Sequence, residues 1–173
     1  MAFSKIAAEN LGGSTLPALA GGSLTGISTA LTPLWYVRRN ADQAISHNTF
    51  TKVEFNVETL DTDSAYDNAT NYRFTVPSGQ AGKYYIEANV SFYDMNPQEH
   101  HMVEIRKDGG NVFSQPSGIT TAADDTDRYM QTISGIIDLA VGEYIEVYAY
   151  VYAGGSDTAA TMSQCWFHGF KIG

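Results

Sequence analysis

The sequence predicts an all-β fold, a sandwich or jelly roll of roughly eight to ten antiparallel strands preceded by an extended N-terminal arm. Composition is the first reason: 11 tyrosines and 8 phenylalanines accompany plentiful valine, isoleucine and threonine, and 16 glycines punctuate them. The second is periodicity. From Trp35 onward, short segments alternate apolar and polar residues between turn signals, and no stretch there keeps a helical period for about ten residues. Length is the third, since 173 residues fit one domain that can bury roughly two-thirds of its unfolded surface without staples.

Residues 1–33 stand apart, being small, polar and glycine-rich with isolated leucines. They read either as a floppy tail or as an extended arm whose spaced Leu16, Leu19, Leu24, Ile27 and Leu31 pack onto another subunit or partner. The leucines favour the arm, so the expected division is an anchoring segment over 1–33 and a β domain over 34–173. Trp35–Arg39 opens the domain as a first strand. Thr51–Val57 follows, with Val53, Phe55 and Val57 alternating against Lys52, Glu54 and Asn56. After the polar stretch LDTDSAYDNATN, the strand YRFTVP ends at Pro77. KYYIEANVSFY places Tyr84, Ile86, Ala88, Val90 and Phe92 on one face. HMVEIRKDGG sets Val103 and Ile105 inward and runs into a KDGG turn, where glycine supplies positive φ. RYMQTISGIIDLAVGEYIEVYAYVY gives two strands around VGE, and SQCWFHGFKI is the last strand.

The segment YIEVYAYVY is apolar on both faces. Ile145, Val147, Ala149 and Val151 suit the core; Tyr144, Glu146, Tyr148, Tyr150 and Tyr152 share the other side. That row reads either as solvent-facing strand, since tyrosine has high β-propensity, or as an interface, where stiff amphipathic rings supply area. Four tyrosines in one row favour the interface.

Three pieces, in order, resemble the C1q/TNF-like jelly roll: RFTVPSGQAGKYYIEANVSF, SGIIDLAVGEYIEVYAYV and the closing WFHGFKI. The resemblance spans about residues 35–173. It implies a homotrimer around a three-fold axis, with the long strand after the Gly-acid turn facing that axis. Tyr144, Tyr148, Tyr150 and Tyr152 are then the expected trimer interface. Separately, LPALAGGSLTGI resembles segments that recur in bacteriophage virion proteins. Together the two resemblances imply a non-enzymatic virion structural protein, located on the capsid surface or a fibre and assembled in the host cytoplasm. It would be a capsid decoration or cement knob, anchored through Leu16, Leu19, Leu24 and Ile27 to the major capsid protein or another virion protein. The alternative is the receptor- or glycan-binding tip of a tail or head fibre, touching a host-surface glycan. A host-side C1q/TNF-like ligand and a glycan-processing enzyme are weaker rivals.

Charge narrows the partners. A net charge of −9 repels a duplex and an anionic membrane, so neither nucleic acid nor membrane is expected. No apolar run approaches the roughly 18 residues of a spanning helix, and no continuous hydrophobic segment follows Lys5, so no secretory signal is expected. No phosphate-binding, nucleophile-elbow, HExxH or CxxC motif occurs, and no cofactor or catalytic residue is expected. The single Cys165 excludes an internal disulfide and reads as a buried inert thiol beside Trp166. His100 and His101 are adjacent, so on a strand they point to opposite faces and cannot readily share one metal ion, whereas in a loop near a three-fold axis three copies of one histidine could share a zinc-sized site; a solvated turn is the plainer reading. His168 reads as a packed residue. Asp61, Asp63 and Asp67, and likewise Asp124, Asp125 and Asp127, offer the hard oxygens that calcium takes, yet aspartate is also a common turn former.

Overall fold

Alternation becomes pairing in the computed structural model, which describes residues 31–93, 99–114, 128–152 and 164–173, with the backbone of 118–119 and 159–161. The strands in chain order are β1 Leu34–Arg38, β2 Gln43–Ile45, β3 Thr51–Lys52, β4 Val57–Asp61, β5 Tyr66–Asp67, β6 Arg73–Thr75 and β7 Gly82–Tyr93. They continue with β8 His100–Lys107, β9 Gly110–Ser114, β10 Gly118–Ile119, β11 Arg128–Leu139, β12 Tyr144–Tyr152, β13 Ala159–Thr161 and β14 Trp166–Lys171. Among the described residues there is no helix.

Two antiparallel sheets face each other. The first runs β2-β13-β7-β14-β1-β4, with β11 on the free edge of β7; the second runs β10-β8-β12-β6-β5, with β3 also on β12 and β9 also on β8. The face expected of KYYIEANVSFY is the core face, since Tyr84, Ile86, Ala88, Val90 and Phe92 are fully buried. Val103 and Ile105 on β8, and Ile145, Val147, Ala149 and Val151 on β12, face them from the second sheet. The centre is aromatic: Trp35 stacks on Phe74 with centroids 3.8 Å apart, and Phe167 meets it edge-on at 5.6 Å. Burying each such ring contributes about 2–3 kcal/mol.

Two strand expectations change. Thr51–Val57 is split between sheets, Thr51–Lys52 and the Val53 amide bonding to β12 while Val57 opens β4 beside β1, although Val53 and Phe55 are buried as expected. The stretch read as polar loop supplies the last two residues of β4, Leu60 and Asp61, which pair with β1, and the whole of β5, because long-range ladder bonds outweigh its weak local propensity. The two strands around VGE form as expected, β11 in the first sheet and β12 in the second, so the turn crosses the sandwich. At KDGG, Asp108 and Gly109 both take positive φ, 49° and 81°, which suits a tight β8–β9 hairpin.

The registers define two ends. Leu34, Gly82, Leu139 and Tyr144 begin or end their strands at one; Tyr93, His100, Arg128 and Tyr152 do so at the other. The chain thus enters β1 at the end opposite the His100 side.

Candidate functional site: two outward sheet faces

The tyrosine row lies on the outward side of the second sheet, where β12 is central between β8 and the β3 and β6 strands. Much of its cover comes from its own chain. Arg73 sits 4.0 Å above the Tyr144 ring, and Arg106 sits 4.1 Å from Tyr148 and 4.7 Å from Phe50. These are cation–π contacts. Glu146 projects outward yet is 3% exposed, because Lys52 forms an ion pair with it and Tyr148 donates its hydroxyl to it at 3.2 Å. Glu104 is similarly held by Arg106 at 2.9 Å and by the Asn111 amide at 2.8 Å. Burial and the neighbouring Glu146 push the Tyr148 hydroxyl up in pKa. Tyr150 packs on Phe50 at 4.9 Å and donates to Asn48 at 2.6 Å. Tyr152 is the most open at 48% exposure, touched by His47 at 5.3 Å and His100 at 6.2 Å.

The first sheet presents a second outward face that the sequence reading passed over. Cross-strand register lays it out in rows: Leu60, Tyr36, His168, Glu87 and Ser134 in one, and Leu34, Phe170, Tyr85 and Ile136 in the next. Trp166, Asn89 and Thr132 form a third. Met130 is 67% and Ile136 60% exposed on this side, and Leu60 is 42%. Tyr36, Tyr85, Trp166 and Phe170 are half-buried beside them. The signal was present in WFHGF and MQTISGI, where the residues between the core positions are themselves large and apolar.

At the middle of this face His168 lies 3.5 Å from Glu87 through Nε2, and Tyr85 donates to the same carboxylate oxygen at 2.9 Å. Trp166 at 5.1 Å and Tyr36 at 6.1 Å flank the imidazole. Burial holds His168 below the usual histidine range, against the pull of Glu87. The bond to Glu87 raises the Tyr85 hydroxyl.

The remaining expected site residues take structural positions. His100 and His101 do point apart: His100 joins Tyr152 outside, while His101 is 6% exposed between the Phe92 and Tyr129 rings. Burial, then His100, lowers its pKa. The Asp61 oxygens accept the Asp63 and Tyr66 amides at 3.2 and 2.7 Å. Asp67 accepts the Ala69 and Thr70 amides and the Asn71 side chain at 3.1, 2.8 and 2.7 Å. Those bonds, led by Thr70, lower Asp67 to about 2. Both carboxylates are thus engaged in shaping their turns, and no group of three or more metal-ligating side chains converges among the described residues. Cys165 is fully buried, its sulfur accepting the Ser91 amide at 3.2 Å. Leu16, Leu19, Leu24, Ile27, Asp124, Asp125 and Asp127 lie outside the described residues.

No family model matches the chain, and no curated protein matches it. Solved structures do. The globular domain of zebrafish complement 1qA protein superposes with a TM-score of 0.56 at 19% identity, covering 82% of this chain and 98% of that one. The Eiger TNF from S. frugiperda superposes with a TM-score of 0.59 at 9% identity, covering 81% of this chain and 92% of that one. At such identities the likeness is one of fold: the chain is an all-β C1q/TNF-like jelly roll.

Proposed function

We propose that this chain is a non-enzymatic structural protein of a virion, a homotrimeric jelly-roll knob that decorates and stabilises a capsid surface. The observation that carries the assembly reading is the first sheet's outward face, where Ile136 and Met130 stand open among Tyr36, Tyr85, Trp166 and Phe170. A face of this kind, with exposed apolar and aromatic side chains around a small polar centre, marks an association surface. The tyrosine row of β12 remains the competing contact, but Tyr144, Tyr148 and Tyr150 already have cations, a ring or a hydroxyl partner within the chain. We therefore place the trimer contact on the first sheet. A structural role also fits the shielded carboxylates Glu146 and Glu104, each neutralised by a cation rather than poised beside a cleft.

Anchoring is assigned to residues 1–33, with Leu16, Leu19, Leu24 and Ile27 seated on the major capsid protein or another virion protein. The LPALAGGSLTGI resemblance supports this, and the chain enters β1 at the end away from His100. Three such arms acting together hold far more firmly than one. A second reading, a receptor- or glycan-binding fibre tip, draws support from Tyr152, exposed beside the half-buried His47 and His100.

Light scattering of the full chain tests the assembly. A mass near three times 18.8 kDa is expected, falling to that of a monomer in Ile136→Asp. A trimer lost in the Tyr148→Ser, Tyr150→Ser double variant but kept in Ile136→Asp moves the contact to β12. Deleting residues 1–33 should leave the oligomer intact and abolish binding to shells.

A further inference from the structure

Between Asp61, which ends β4 in the first sheet, and Tyr66, which begins β5 in the second, the chain crosses the flank of the sandwich and walls an open groove. We propose that this groove, between the Asp63–Asp67 turn and the end of β6, binds an uncharged sugar ring of a glycan. Such a site goes beyond the assembly reading and does not depend on it.

The groove has a volume of about 340 Å³, which suits one small ligand. Its walls are fixed before any ligand arrives. Asp61 accepts the Asp63 and Tyr66 amides. The Ala65 carbonyl accepts the Thr75 amide at 2.9 Å, and the Val76 carbonyl accepts the Gly142 amide at 3.0 Å. A wall held in this way spares the ordering cost that a mobile loop would add to binding.

The lining is of two kinds. Asp63, Ser64 and Thr75 supply polar side chains, and Ala65, Val76 and Pro77 supply aliphatic surface. A carboxylate only accepts hydrogen bonds, while a hydroxyl both donates and accepts. The matching ligand therefore carries several hydroxyl groups beside a C–H face, as a sugar ring does. Bonds from its hydroxyls to Asp63 are charge-assisted. Asp67, engaged in its own turn, adds a second negative charge to the wall. No lysine, arginine or histidine lines the groove among the described residues. Arg73, opposite Asp67 by register, lies over the Tyr144 ring instead. Two carboxylates in a lining without a cation repel a phosphorylated, sulfated or carboxylated sugar.

Saturation-transfer difference NMR on the full chain tests this, with glucose, galactose, mannose and N-acetylglucosamine as probes beside glucuronate and putrescine. At least one uncharged sugar should show transfer, and glucuronate should show none. Asp63→Ala should weaken that sugar about tenfold or more, and Thr75→Val roughly fivefold. The Asp63 carboxylate bonds the adjacent Thr62 hydroxyl at 2.7 Å, and the turn itself is braced by Asp61, so both variants should keep the wild-type near-ultraviolet circular dichroism. Tyr152→Ala should leave the sugar bound, since the groove lies toward the end where the chain enters β1. The proposal is overturned by an absence of transfer from every uncharged sugar, or by glucuronate binding as well as glucose. Tighter binding of putrescine overturns it too, by reassigning the groove to amines. So does sugar binding kept in Asp63→Ala; its loss in Tyr152→Ala would then place the sugar at the other end of the sandwich. None of these results touches the assembly reading, which molar mass and Ile136→Asp decide separately.

Discussion

Replacing Lys52 with methionine asks what covers the outward side of β12. Glu146 sits in mid-sheet at 3% exposure with Lys52 as its ion-pair partner. Methionine keeps most of the stem beside Tyr148 but removes the charge. Breaking one side of a buried pair costs about 3–5 kcal/mol, because a desolvated charge is left behind. Two features reduce that here. The Lys52 side chain is 30% exposed, so water reaches the pair from one side. The Tyr148 hydroxyl at 3.2 Å stays as a donor, a bond contributing about 1 kcal/mol. The expected loss is about 2–3 kcal/mol at neutral pH, or a fall in Tm of roughly 4–12 °C for a domain of this size. Urea unfolding followed by tryptophan fluorescence, at one fixed protein concentration, measures it for Lys52→Met, Glu146→Gln and the pair together. The double variant should lose less than the sum of the singles, since neither charge is then stranded. A Lys52→Met loss under about 0.5 kcal/mol, or strict additivity, would refute the claim that the row is closed from within the chain.

Three further outcomes are expected. Gly169→Ala builds a methyl group against the Trp35 ring edge and 2.7 Å from the Tyr85 carbonyl oxygen; neither can retreat, so about 3 kcal/mol should be lost in the same urea assay. Gly79→Ala meets no atom within 4 Å but must hold φ at 77°, so its loss should be about 1 kcal/mol, from backbone strain alone. Asp67 is lowered from 3.8 to about 2 in the folded chain, so its stabilisation is present above the unfolded value and lost as pH falls toward the folded one. Acid titration of Asp67→Asn should therefore lack that part of the decline, and an unchanged acid limb would remove Asp67 as its source.

Much of the fold was legible because period-two alternation records which side of a strand is dry. Tyr84 to Phe92 and Ile145 to Val151 fell on the core face as read, with Val53 and Phe55. The failures have one cause. The end of β4 and all of β5 fall in a polar stretch with several aspartates and form because β1 and β6 offer them ladder bonds, a long-range effect that local propensity does not contain. The two strands around VGE were legible as strands, but which sheet each joins was not, and packing sends them into different sheets.

By itself, then, the sequence determined the fold class and the inward face of the long strands, since both follow from a local pattern that burial must satisfy. It also marked β12 as apolar on both sides. What lies over that second side was decided by tertiary structure, which brings Lys52 to Glu146 across 94 positions and sets Arg73 and Arg106 over the tyrosine rings. The same packing leaves Ile136 and Met130 open on the opposite sheet. Whether an aromatic row is covered depends on neighbours remote in the chain, and strand periodicity carries no information about them.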